Sequence, residues 1–142
     1  MKEIKTSILI KASPEKIWTV LMDFEQYPTW NPFIVSIAGR QGVAERLAIK
    51  IQPPSGSAMT FQPVVLTVSN NKEFRWAGKF LFKGLFDGEH YFILTDHLDG
   101  TVTLHHGEKF KGILLRFLGK ILVQTQRGFD LMNQALKKKC EP

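Results

Sequence analysis

The sequence holds one cysteine in 142 residues, Cys140, two positions from its end. No intramolecular disulfide can form, and a cysteine zinc cluster is excluded. No uncharged apolar stretch approaches the ~18 residues of a membrane span. The opening "MKEIKTSILIKASPEK" lacks the apolar core of a secretory signal, so a cytoplasmic location is expected. Internal repeats and linkers are also missing. The net charge is +6, yet there is no Arg-rich run and no alternation of cations with aromatics. The one cluster, "LKKK" at 136–139, suits the negative end of a helix dipole. No specific nucleic-acid partner is expected.

What is present is a globular composition: 44% apolar residues, with 11 Phe and three Trp. The length points to one domain with a full core. Residues 3–12 alternate Ile4, Thr6, Ile8, Ile10 against Lys5, Ser7, Leu9, Lys11, the period of a half-buried strand. "SPEKIWTVLMDF" predicts a helix with Ser13 as N-cap, Pro14 in its first turn, and Ile17, Trp18, Leu21 and Phe24 as its apolar face. "EQYPTWNPFI" has room for one short helical turn between prolines. Six β-rich runs follow, "FIVSIA", "RLAIKI", "AMTFQPVVLTVS", "EFRWAGKFLF", "EHYFILTDH" and "TVTLHHGEKF", with a bulge or edge expected at Pro63. Without intervening helices they predict an antiparallel meander. A long helix is expected over 112–139, its stripe of Ile113, Leu114, Phe117, Leu118, Ile121, Leu122, Phe129, Met132 and Leu136 covering the sheet.

The hairpin at "TDHLDGTVT" sets the register. A three-residue loop, Leu98-Asp99-Gly100, closes on His97 and Thr101 with Gly100 left-handed. Leu94 then faces Leu104, Phe92 faces His106, and His90 faces Glu108. Phe74, Trp76, Phe80, Val102 and Phe110 share that face, while His105 and Lys109 point away. The two neighbouring histidines are thus split across the sheet, and no metal site is expected. His90, His106 and Glu108 project into a Phe- and Trp-lined space, where Gly78 removes volume. A His90–Glu108 hydrogen bond would offset the cost of burying polar groups. Apolar walls with a few convergent polar groups describe a small-molecule pocket.

The stretches "SPEKIWTVLMDFEQYPTWNPF", "GEHYFILT", "GEKFKGIL" and "QRGFDLMNQALKKKCE" resemble the START-like, or polyketide cyclase/dehydrase-like (SRPBCC), superfamily over nearly the whole chain. Trp30, Asn31, Pro32, Phe33, Gly107, Glu108, Phe110, Gly112, Phe129 and Asn133 carry the likeness. The resemblance implies an α+β helix-grip fold, β-α-α-β6-α, in which a curved antiparallel sheet of about seven strands wraps a long C-terminal helix. It implies a single START-like ligand-binding domain over 1–142, taking a lipid, quinone or polyketide-like molecule between sheet and helix, with no cofactor. The ligand-binding candidates are Trp30, Phe33, Trp76, Phe80, His90, Phe92, His106, Glu108 and Phe110. Binding or carriage is the favoured reading over enzymatic turnover. An alternative is a cyclase or dehydratase with His90 and Glu108 as its acid–base pair. Another is a chaperone-cofactor-like interaction domain using the aromatic stretch 79–88. Weak self-association stays open.

Overall fold

The computed structural model describes residues 1–79 and 87–142. Eight strands are present among them: β1 (Lys2–Ile10), β2 (Ile34–Ala38), β3 (Ala48–Ile51), β4 (Met59–Phe61), β5 (Val64–Ser69), β6 (Glu73–Lys79), β7 (Asp87–Asp96) and β8 (Val102–Lys111). The helices are α1 (Pro14–Met22), the single turn α2 (Tyr27–Trp30) and α3 (Gly119–Cys140). All pairings are antiparallel, in a five-stranded sheet ordered β1-β8-β7-β6-β5 and a three-stranded sheet ordered β2-β3-β4. The fold is the expected α+β helix grip. The third β-rich run divides at Pro63, which has no N–H for a ladder, and this supplies the eighth strand. Bonds of 2.9 Å from Leu47 N to Pro63 O and from Val65 N to Glu45 O tie the two sheets together there.

Local chemistry accounts for the elements. Ser13 Oγ accepts from Lys16 N at 3.1 Å and caps α1, whose Ile17, Trp18 and Leu21 are buried. Asn31 Oδ1 accepts from Phe33 N and Ile34 N at 3.0 and 2.9 Å, a side-chain turn that launches β2. The β7–β8 register is the expected one: Leu94 opposite Leu104, Phe92 opposite His106, His90 opposite Glu108. Gly100 is left-handed at φ +90°, and Leu98 shares that region at φ +59°.

The C-terminal helix departs from expectation. Gly112, at φ +135°, turns the chain out of β8, a short 3₁₀ turn covers Leu115–Phe117, and α3 begins only at Gly119. Phe129, Met132 and Leu136 cover the sheet and are fully buried, whereas Ile113 and Phe117 are 71% and 69% exposed. Ile113 and Phe117 of the expected stripe therefore cover nothing, while Leu118 and Leu122 still pack against the core.

Candidate functional site

The inward polar residues form one hydrogen-bonded file. Thr6 pairs with His106 across β1 and β8, and its hydroxyl donates to the His106 carbonyl at 2.6 Å. Asn133, reaching down from α3, donates from Nδ2 to Thr6 Oγ1 at 2.8 Å. Its Oδ1 stands 2.8 Å from His106 Nδ1, and His106 Nε2 stands 2.8 Å from His90 Nε2. At the far end His90 Nδ1 lies 3.4 Å from Glu108 Oε1.

The direction of every link follows from the anchor. A backbone carbonyl only accepts, so Thr6 donates to it and must accept from the Asn133 amide. Asn133 Oδ1 then accepts from His106 Nδ1–H. Neutral His106 is left with a bare Nε2, which accepts from His90 Nε2–H, and neutral His90 turns a bare Nδ1 toward Glu108. Both imidazoles are held neutral by burial. The pKa of His90 is pushed down to about 3. His106 lies well below its ordinary value, through burial first and repulsion from His90 second, against the opposing Asn133 bond. Their faces are packed as core aromatics: His90 stacks on Trp76 at 4.6 Å, and His106 lies between Phe92 at 4.5 Å and Phe129 at 4.1 Å.

Burial lifts the Glu108 carboxyl to about 8, so it is protonated at neutral pH and faces the bare His90 Nδ1 with a donor, at 3.4 Å a longer approach than the bonds behind it. With 15% of its side chain accessible, it is the end of the file that reaches open space. Gly88 makes this possible, because a Cβ there would lie 2.2 Å from Glu108 Oε2. Gly78 does not open the pocket as expected, since the Phe61 ring fills its side at 3.4 Å.

Glu108 and His90 line a cavity of about 30 Å³ with Phe33, Trp76 and Phe110 from the expected set, and with Ile34, Ile51, Met59, Phe61, Ile121 and Thr125. This is room for a water molecule, well below a ligand-sized site. A larger space of about 460 Å³ lies beside the strand ends at Lys79 and Asp87; it shares Phe110 with the first and is lined by Gly88, against which the Glu108 carboxyl sits.

Three expected ligand contacts lie elsewhere. His106 and Phe92 are sealed in the core at 0% exposure. Trp30 packs on Tyr27 at 5.2 Å and lines neither space. Phe80, with most of the aromatic stretch 79–88, falls outside the described residues. His105 points to the other face and meets Thr95 Oγ1 at 3.2 Å. Alternation puts Thr6 on the face of Ile4 and Ile8, and Asn133 enters only through the family likeness, so neither is marked in the sequence as a partner of the histidines. Their signal is weak, a polar residue at an inward position on each of two distant elements.

A family model described as polyketide cyclase/dehydrase and lipid transport matches residues 1–141. No curated protein matches the sequence. Among solved structures, the Zhui aromatase/cyclase from a Streptomyces species is similar with a TM-score of 0.80 and 10% identity, over 98% of this chain and 93% of that one. A protein from Thermus thermophilus gives a TM-score of 0.76 at 14% identity, over 98% and 97%. The di-domain ARO/CYC StfQ of the steffimycin biosynthetic pathway gives 0.69 at 17% identity, over 97% of this chain and 49% of that one. At these identities the likeness establishes the fold.

Proposed function

Because the chain belongs to the polyketide cyclase/dehydrase and lipid-transport family, we propose that it acts over 1–142 as one binding domain for a small hydrophobic, hydroxyl-bearing aromatic molecule. The ligand sits between the sheet and α3, against Phe33, Trp76 and Phe110, with its polar end on Glu108. One observation supports this reading: Glu108 stands at the open end of a hydrogen-bonded file whose polarity turns the bare His90 Nδ1 toward its protonated carboxyl at 3.4 Å, which draws the carboxyl hydrogen to that side. Its carbonyl oxygen is then an acceptor in an apolar pocket, which favours a ligand that donates, a phenol or alcohol, over one that only accepts. Entry requires Ile121, Met59 and Phe61 to give way, since the present cavity is about 30 Å³.

An acid–base role for Glu108 in a cyclase or dehydratase is the second reading, favoured by its pKa of about 8, near the operating pH. The file behind it gives no exit for a proton, because it ends on a backbone carbonyl. Any such chemistry would rest on Glu108 itself.

Substitution separates the two. In Glu108→Gln the amide N–H₂ donates to His90 and its oxygen accepts from the ligand, so binding of hydroxylated naphthalenes or anthraquinones, read by isothermal titration calorimetry, should stay within a few-fold. Glu108→Met removes the acceptor and should weaken binding about tenfold. If no hydroxylated aromatic, quinone or lipid binds the wild-type protein, the binding reading fails. Turnover that Glu108→Gln abolishes would establish the second reading instead.

A further inference from the structure

Between Glu108 and Asp130 the chain has no acidic residue and five cations: Lys109, Lys111, Arg116, Lys120 and Arg127. Lys109 lies on the outer face opposite Glu3 and Glu89, and Lys111 stands opposite Asp87, which leaves Arg116, Lys120 and Arg127, all exposed, beside the helix. The same segment shows apolar side chains on both sides. Leu115, Leu118 and Leu122 pack inward against the core. Ile113, Phe117, Ile121 and Val123 remain 71%, 69%, 43% and 56% exposed. Arg116 lies over the Phe117 ring at 4.9 Å, so charge and apolar surface are adjacent. The inward leucines already satisfy the core, and the outward residues have no structural task there. Exposed apolar side chains interspersed along the segment with Arg116, Lys120 and Arg127, and with no acidic residue among them, mark an interaction surface.

We propose that residues 112–127, the turn out of β8 and the first half of α3, dock the protein on an anionic lipid bilayer. Ile113 and Phe117 would enter the acyl boundary while Arg116, Lys120 and Arg127 meet the lipid phosphates, the division of labour of an interfacial basic amphipathic segment. A second copy of this chain is a poor occupant, because self-docking would oppose the cations of one copy to those of the other. Nucleic acid would answer the charge but leave Ile113 and Val123 against water. Ile121 belongs to both surfaces, since it also lines the cavity at Glu108. Docking would therefore bring a wall of that cavity to the bilayer, although the surface stands independently of what the cavity holds.

Co-sedimentation of the full chain with vesicles tests this. Phosphatidylcholine vesicles containing phosphatidylglycerol should bind the protein, and phosphatidylcholine alone should not. Binding should fall as salt rises, as expected for screened surface charge. Ile113→Asp with Phe117→Asp should abolish it. Arg116→Gln with Lys120→Gln, which keeps every apolar side chain, should weaken it by about fivefold per cation removed. Unchanged thermal melts identify the variants as folded. The proposal is overturned if anionic vesicles bind no protein, or if both double variants bind like the wild type. It is equally overturned if the protein binds oligonucleotides in preference to vesicles, or if the Phe117 face instead holds a dimer that the aspartates dissolve.

Discussion

A carboxyl group facing a neutral imidazole can keep its proton or hand it over, and for Glu108 the choice has a thermodynamic signature. Its pKa moves from 4.5 to about 8 because burial disfavours the carboxylate. Between those values the folded chain holds a proton that the unfolded chain has released, so stability falls as pH rises through the window. His90 moves the other way, from 6.5 to about 3, and His106 shares its direction. Below 6.5 the unfolded chain gains protons that the folded histidines refuse, so stability falls as pH drops. Two histidines outweigh one glutamic acid below that point, and Glu108 outweighs their fading contribution above it. Stability should therefore peak near pH 6.5. Wild-type protein should lose roughly 1 kcal/mol between pH 6.5 and 8, because the Glu108 slope of about 1.4 kcal/mol per unit is partly offset while the unfolded histidines finish titrating. In Glu108→Gln that alkaline slope should vanish. Denaturant unfolding at several pH values reads both curves, and a wild-type curve that is flat above 6.5 would mean Glu108 is ionised in the fold.

At the scale of elements, the β1–β8–β7 sandwich of side chains depends on Gly107 as the inner face depends on Gly88. The Tyr91 ring lies across Gly107 on the outer face, its hydroxyl donating to Glu3 Oε2 at 2.7 Å and its ring under Arg75 at 4.9 Å. A Cβ at Gly107 would sit 2.3 Å from Tyr91 Oη and 2.5 Å from the Ile4 carbonyl. Gly107→Ala should therefore destabilise the protein by about 3 kcal/mol, the upper range for overpacking. Adding Tyr91→Ala should recover only part of the loss, because the Ile4 backbone clash on β1 remains; full recovery in denaturant unfolding would contradict this. The strands themselves were legible. Alternation and the Gly100 loop predict the β7–β8 register, hence which of His105 and His106 faces inward. Periodicity does not say whether an inward residue meets a cavity or a core, so His106 and Phe92 read as ligand contacts. That distinction depends on Asn133 and Thr6, which come from remote elements. Likewise two inward glycines look alike in sequence. Only the crossing of Phe61 from the second sheet fills the space at Gly78 and leaves Gly88 as the one that makes room for Glu108.

Across the whole molecule, α3 is held at one end and presented at the other. Phe129, Met132, Asn133 and Leu136 are buried against the five-stranded sheet, and Phe33 lies over Gly128, where a Cβ would come within 2.1 Å of its ring. Asn133 adds two hydrogen bonds to the file. Before Gly128 the helix has Thr125 as its buried residue, with exposed Lys120, Ile121 and Val123 and one bond from Ser55 N to Gln124 Oε1 at 3.1 Å. Few buried apolar contacts mean a low cost of local opening. Ile121 and Thr125 wall the cavity with Met59 and Phe61 of the short strand β4, so a cavity of about 30 Å³ can grow by yielding on that side while the Glu108 file stays fixed. Amide hydrogen exchange should accordingly divide α3. Residues 120–125 should exchange through local opening, well before 129–137, which should exchange only with global unfolding. A bound hydroxylated aromatic should slow exchange at 120–125 and in Met59–Phe61 and leave 129–137 unchanged. Uniform protection along α3, or a ligand effect confined to its second half, would place the yielding wall elsewhere.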